Sequence, residues 1–243
     1  LDPRNANVYL ALGDAYRLTD QVEEAIAAYT QAQALAPRAE DAYIGLAAVH
    51  RSQVLSQDTV EVASQSYESG LAITPTSGRL LIDYANLLLQ RGDVDRALGM
   101  LDRATQLSAS AGTYLARSAL YRVLGRATDA QADLETALQI EPGSVETLIV
   151  LGDLYQAQGK ASDAEASYQR ATSLAPGMAA PYMALAQLAL QQGQMNEAWR
   201  QFEAAHQAEP ASPAPLVSLA AARVSQGDWE EAEAAYRRVL EMS

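Results

Sequence analysis

Two histidines, His50 and His206, are the side chains best suited to proton transfer or metal binding, and cysteine is absent. A structural zinc site takes four Cys or His ligands and a catalytic one takes three protein ligands, so two histidines 156 positions apart make neither. His206-Gln207-Ala208-Glu209 puts an imidazole and a carboxylate one helical turn apart, a spacing that an exposed helical histidine meets just as well. The lack of cysteine also excludes disulfides and thiolate nucleophiles. No Gly-rich phosphate loop, Walker motif or nucleophile elbow occurs. Asp228, Glu230, Glu231 and Glu233 cluster where a helix would begin, and negative charge there complements the helix dipole. The chemistry-bearing residues therefore predict no catalytic residue, no metal and no cofactor.

Thirty acids outnumber seventeen basic residues, a formal charge of -13 in 243 residues. Binding to a phosphate backbone needs a basic stripe that releases counterions, so nucleic acid is excluded as the expected partner. No run reaches the roughly 18 to 20 apolar residues of a membrane span, and no basic-then-apolar leader opens the chain, so direct membrane insertion is not expected. The sequence starts at Leu1-Asp2-Pro3, which fits a processed form or a piece of something longer. The absence of cysteine suits the cytoplasm and the periplasm or cell envelope equally.

Positioning elements come from a repeat. Prolines that close apolar segments fall at Pro3, Pro37, Pro75, Pro142, Pro176 and Pro210, with gaps of 34, 38, 67, 34 and 34 residues. Each copy reads as a helical stretch, a break, a second helical stretch and a proline stop. Gly92, Gly125, Gly159, Gly193 and Gly227 occupy the break, where a left-handed residue ends a helix at little cost. Ala25, Ala63, Ala97, Ala130, Ala164, Ala198 and Ala232 recur early in every second helix, opposite the equally small Gly13, Ala47, Ala85, Ser118, Gly152, Ala186 and Ala220. Close helix approach explains both sets. Aromatics such as Tyr9, Tyr16, Tyr29, Tyr155, Tyr168, Phe202 and Tyr236 fill the holes between them, which predicts that they pack.

This pattern resembles the tetratricopeptide repeat family over the whole chain. Its clearest copies run from Tyr9 through Leu12-Gly13, Tyr16, Ala25, Tyr29 and Ala32 to Pro37, and from Leu148 through Leu151-Gly152, Tyr155, Gly159, Ala164, Tyr168 and Ala171 to Pro176. Departures are local: His50 replaces an aromatic, Gly70 and Val239 replace alanine, and Arg223 stands where Tyr155 stands in its copy. The resemblance implies an all-α fold, a right-handed α-solenoid superhelix of seven helix-turn-helix repeats and about fourteen helices, with first helices on the concave side. The repeats are expected over residues 6–39, 40–77, 78–110, 111–144, 145–178, 179–212 and 213–243, forming a single array.

If first helices line a groove, residues at helical spacing form its surface. One row is apolar in every copy: Leu10, Ile44, Ile82, Leu115, Ile149, Met183 and Val217. Flanking rows hold Asp14, Asp41, Asn86, Glu146 and Asp153 together with Arg17, Arg51, Arg79 and Arg122, and the last copies add the uncharged Leu190 and Val224. Such a surface suits a protein or peptide partner with apolar anchors and acidic flanks. The bland alternative is that the row is buried between successive first helices. The lysine and asparagine clamp that family relatives use for chaperone tails is missing, with Leu10, Ile44 and Ile82 in the relevant row.

The second copy carries an insert, Ser52 to Glu61, after which capping-box spacing of Asp58 and Glu61 predicts a helix restarting at Thr59; Val54 and Leu55 would fold back or protrude from it. Three roles fit: a non-enzymatic interaction scaffold, a structural protein forming a head-to-tail homo-oligomer through solenoid ends, and the targeting arm of a larger enzyme or envelope complex.

Overall fold

A computed structural model describes residues 5–52 and 57–242. Among them the chain is all-α, with no strand. The helices are α1 (Ala6–Leu18), α2 (Val22–Leu35), α3 (Glu40–Ser52), α4 (Gln57–Ile73), α5 (Gly78–Gln90), α6 (Val94–Leu107), α7 (Ala111–Val123), α8 (Ala127–Ile140), α9 (Val145–Ala157), α10 (Ala161–Leu174), α11 (Ala179–Gln191), α12 (Met195–Ala208), α13 (Ala214–Gln226) and α14 (Trp229–Glu241). Odd-numbered helices are the first helices of the repeat and even-numbered ones the second. Contacts group residues 1–120 and 121–243 into two compact units whose boundary falls inside α7. The helix after the insert begins at Gln57, two residues before Thr59. Val54 and Leu55 lie outside the described residues.

Among the described residues, six of the turns between paired helices have one chemistry. Gly92, Gly125, Gly159, Gly193 and Gly227 all have φ between 70° and 83°. In the first repeat Asp20 takes that place at φ 59°, the one left-handed non-glycine among the described residues. Asp tolerates this region better than most side chains, because its short carboxylate can bond locally. Each of these six turns closes with a backbone bond five residues back, as from Lys160 N to Tyr155 O at 2.9 Å and from Gln21 N to Tyr16 O at 2.8 Å, the long bond of a Schellman closure. Serines start three of the first helices: Ser77 accepts from Leu80 N at 3.1 Å, Ser110 from Thr113 N at 3.2 Å and Ser144 from Thr147 N at 3.3 Å.

The recurrent alanines are at the centre of each hairpin; six are fully buried and Ala232 is 2 % exposed. Close approach is only half the reason for the small residues opposite. A Cβ added at Gly13 would lie 2.6 Å from the Tyr29 ring, and one at Gly152 would run into the Tyr168 ring. The glycines make room for tyrosines of the second helix. Gly45, on the following first helix, is pressed against the same Tyr29 ring from the other side.

In the unit of residues 1–120, Tyr67 and Tyr84 stack at 5.5 Å within a core that includes Leu80, Leu81, Leu87, Leu88 and Leu101. In the unit of residues 121–243, Tyr168 packs with Ala164, Leu185 and Leu188, while Phe202 packs with Ala186, Ala198 and Leu216. Not every aromatic is spent this way. Tyr236 is 41 % exposed, because no described helix covers the outer face of α14.

Position Arg223 is compensated. In two repeats an aromatic near the end of the first helix carries a cation from the turn: Arg126 over Tyr121 at 4.4 Å and Lys160 over Tyr155 at 5.6 Å. The last repeat reverses the order, with Arg223 on the helix bonded to Asp228 in the turn at 2.9 Å and stacked over Trp199 at 4.2 Å. The departure from the repeat pattern is a paired exchange and not a weakened contact.

Candidate groove on the first helices

In the unit of residues 1–120, three consecutive first helices, α1, α3 and α5, bound a cleft of about 510 Å³. Leu10, Asp14 and Arg17 come from α1, Ile44 and Arg51 from α3; the sequence places all five on the groove face. Asp41, Gly45, Ala48, Arg79 and the edge of Tyr29 complete the lining. Leu10 and Ile44 are half-buried. Each packs on one side against a core cluster, Leu10 with Tyr29 and Leu46, Ile44 with Tyr43 and Leu80, and each lines the cleft on the other. The apolar row is thus shared between core and surface. Ile82 joins the same core as Ile44, Leu115 on α7 is half-buried, and Asn86 is exposed.

The charges of the cleft are unevenly committed. Asp41 forms an ion pair with Arg79 across α3 and α5. Asp14 accepts the Tyr29 phenol at 2.7 Å and lies 3.9 Å from Arg17. Burial, reinforced by Asp14, pushes the Tyr29 hydroxyl up to about 12. Arg51 is exposed and has no ion-pair partner within 4.0 Å among the described residues. On α5, burial pushes the half-buried Asp83 carboxyl up, against the pull of Arg79 and Arg51.

In the unit of residues 121–243, Ile149 is half-buried against Tyr168, and Met183 and Leu190 pack on the Phe202 cluster. Asp153 accepts the Tyr168 phenol at 2.8 Å, and Gln156 accepts from it at 2.9 Å. Burial and Asp153 drive the Tyr168 hydroxyl well above its ordinary value, with Arg122 opposing. Arg122 is exposed and Val217 is 41 % exposed. Val224 lines a second, apolar cleft of about 440 Å³ with Trp229, Tyr236 and Leu240. Asp14 and Asp153, read from sequence as groove flanks, are therefore held from beneath by tyrosines of the second helices.

The histidines do not converge on a site. His50 is half-buried on α3, where burial pulls its pKa down and favours the neutral ring. His206 is half-buried on α12, not exposed, and its Nδ1 is a buried atom with no hydrogen-bond partner. Among the described residues no three His, Cys, Asp or Glu side chains are placed to hold a metal, and no helix is long and apolar enough to cross a membrane.

Comparison with known proteins agrees with this architecture. A tetratricopeptide repeat profile matches residues 124–188 and 189–242, and a second profile of the same description matches residues 6–39. None of the curated proteins matches the sequence significantly. Among solved structures, the Pseudomonas aeruginosa pilF structure is 18 % identical with a TM-score of 0.62, covering 85 % of this chain and 93 % of its own. Yeast Tom70 is 18 % identical with a TM-score of 0.71, over 98 % of this chain and 50 % of its own. YrrB, described as a TPR protein with an unusual peptide-binding site, is 19 % identical with a TM-score of 0.52, over 74 % and 93 %.

Proposed function

The chain belongs to the tetratricopeptide repeat family, and from that premise we propose that it is a non-enzymatic scaffold that holds a peptide or helix of a partner protein on its first-helix faces. The observation that carries this reading is the cleft of α1, α3 and α5, which joins the half-buried Leu10 and Ile44 to the arginines Arg17 and Arg51. An apolar floor supplies anchoring area, and charges at its edge set orientation and encounter rate more than affinity. In the second unit Ile149, Met183 and Val217 form the corresponding row, with Arg122 beside it. The peptide-binding description of YrrB supports the same reading by likeness of fold. Cross-linking and pull-down with wild type, Ile44→Glu and Ile149→Glu tests it: loss of a shared partner from either variant is expected, and identical partner sets in all three remove the reading.

A second reading, self-association through the outer face of α13 and α14, is favoured by the apolar cleft of Val224, Trp229, Tyr236 and Leu240, with Trp229 66 % and Leu240 74 % exposed. Light scattering against concentration tests it, and a monomer at every concentration sinks it.

A further inference from the structure

A ring on a second helix is covered by the first helix that follows it, in a fixed register. Tyr29 packs with Leu46 and Val49, Tyr168 with Leu185 and Leu188, and Phe202 with Leu219, while Tyr67 stacks on Tyr84. The spacings 29 to 46, 67 to 84, 168 to 185 and 202 to 219 are 17 positions each. All four rings are at most 3 % exposed, and so are Leu101 and Leu134 at the same place in α6 and α8. Two members of this register are uncovered among the described residues. Tyr236 holds the ring place on α14 and is 41 % exposed; Leu12 holds the covering place on α1 and is 39 % exposed, where Leu46, Tyr84, Leu151, Leu185 and Leu219 do not exceed 8 %. Ala15, three residues beyond Leu12, is exposed at the place of the buried Val49 and Leu188.

The α14 face therefore presents a ring without its cover, and the α1 face presents the cover without its ring. Each is half of a joint that the chain already builds between its own repeats, so the two halves fit without new shape or chemistry. The edge of the α14 face does not guard against such a contact, because Glu233 and Arg237 pair with each other at 2.7 Å. Resting on the reading that the α14 face self-associates, we infer that its occupant is the α1 face of a second copy of this chain, with the Tyr236 ring against Leu12 and Ala15. The contact is heterologous: a copy uses its α14 face toward one neighbour and its α1 face toward the other, so copies add in one direction and the mass grows with concentration. Burial of the Tyr236 ring, Leu240 and Leu12 drives it.

Sedimentation equilibrium of the full chain, alone and in mixtures, tests this. Leu12→Glu blocks the α1 face, and Tyr236→Glu blocks the α14 face; Leu240→Glu, at a side chain 74 % exposed, is a second block of the α14 face, and circular dichroism checks the fold of each. The wild-type mass is expected to rise with concentration and each variant to stay at the monomer mass. Leu12→Glu mixed one to one with either α14 variant should give twice the monomer mass and nothing larger, because one partner keeps an intact α14 face and the other an intact α1 face. Association of Leu12→Glu as strong as that of wild type overturns the inference. If the α14 variants are then monomeric, the α14 face pairs with itself and the self-association reading stands; if they too associate as wild type does, that reading falls as well. Failure of the mixture to form the dimer also overturns the inference, and a wild-type monomer at every concentration removes both and leaves the scaffold reading untouched.

Discussion

The phenol of Tyr168 reaches through its helical hairpin to donate to Asp153 at 2.8 Å, and Tyr29 reaches Asp14 in the same way at 2.7 Å. Each bond ties a second helix to a carboxylate on the face of the first. Tyr168→Phe should destabilise the chain by about 1–2 kcal/mol, since it removes a donor from a half-buried carboxylate. Urea unfolding of the variant checks this, and a midpoint equal to that of wild type would refute a structural role for the pair.

The glycine behind that tyrosine allows a paired test. Gly152→Ala drives a methyl group into the Tyr168 ring and should cost about 1–3 kcal/mol. Gly99→Ala, inside α6 with open space at its Cβ, should instead stabilise by about 0.5–1 kcal/mol through helix propensity. Opposite shifts in thermal midpoint are the expected result.

The first turn departs from the glycine rule at Asp20. Asp20→Gly should gain about 0.5 kcal/mol by relieving a left-handed non-glycine residue, and Gly159→Ala should lose about 1 kcal/mol by creating one. Thermal unfolding of both single variants measures the contrast.

Arg223 and Asp228 form a reversed version of the Tyr155 and Lys160 pair. Arg223→Tyr alone leaves Asp228 without its cation and should destabilise; adding Asp228→Lys should recover about 0.5–1 kcal/mol. A double-mutant cycle reads the coupling, and additive effects would show that the two positions act independently.

Alkali should unfold the protein through its buried tyrosines. Burial is the first cause that pushes Tyr29, Tyr67 and Tyr84 from 10.0 to about 12, because the folded chain favours the neutral phenol. The folded pKa lies above the unfolded one, so this contribution is complete below pH 10 and is lost as pH rises through about 12. Urea midpoints should fall across that window, and Tyr29→Phe should shallow the slope.

Much of the fold was legible because the repeat imposes the same demand seven times: Ala25 to Ala232 stay buried by the same packing in every copy. The groove was legible as a face, since Leu10, Arg17, Ile44 and Arg51 share a helical spacing. Which acids on that face are free was not read, because it depends on side chains arriving from another helix. A signal was nevertheless present. Gly13-Asp14 goes with Tyr29 and Gly152-Asp153 with Tyr168, whereas Ala47-Ala48 goes with Tyr67, which stacks on Tyr84 instead. The exchange of Arg223 with Asp228 was likewise visible only once the turn was paired with the helix end. Tyr236 broke the packing rule because a ring is buried by the helix after it as much as by its own hairpin.

The hairpins described above are built from contacts between helices adjacent in the chain, with further packing on the first helix that follows. Closing such contacts requires only short loops, so little chain entropy is lost before each one is rewarded. Folding can begin at whichever hairpin forms first and spread to its neighbours, on a timescale set by local steps. A weakened turn then opens its own segment to hydrogen exchange and proteases, while hairpins farther along the chain keep their protection.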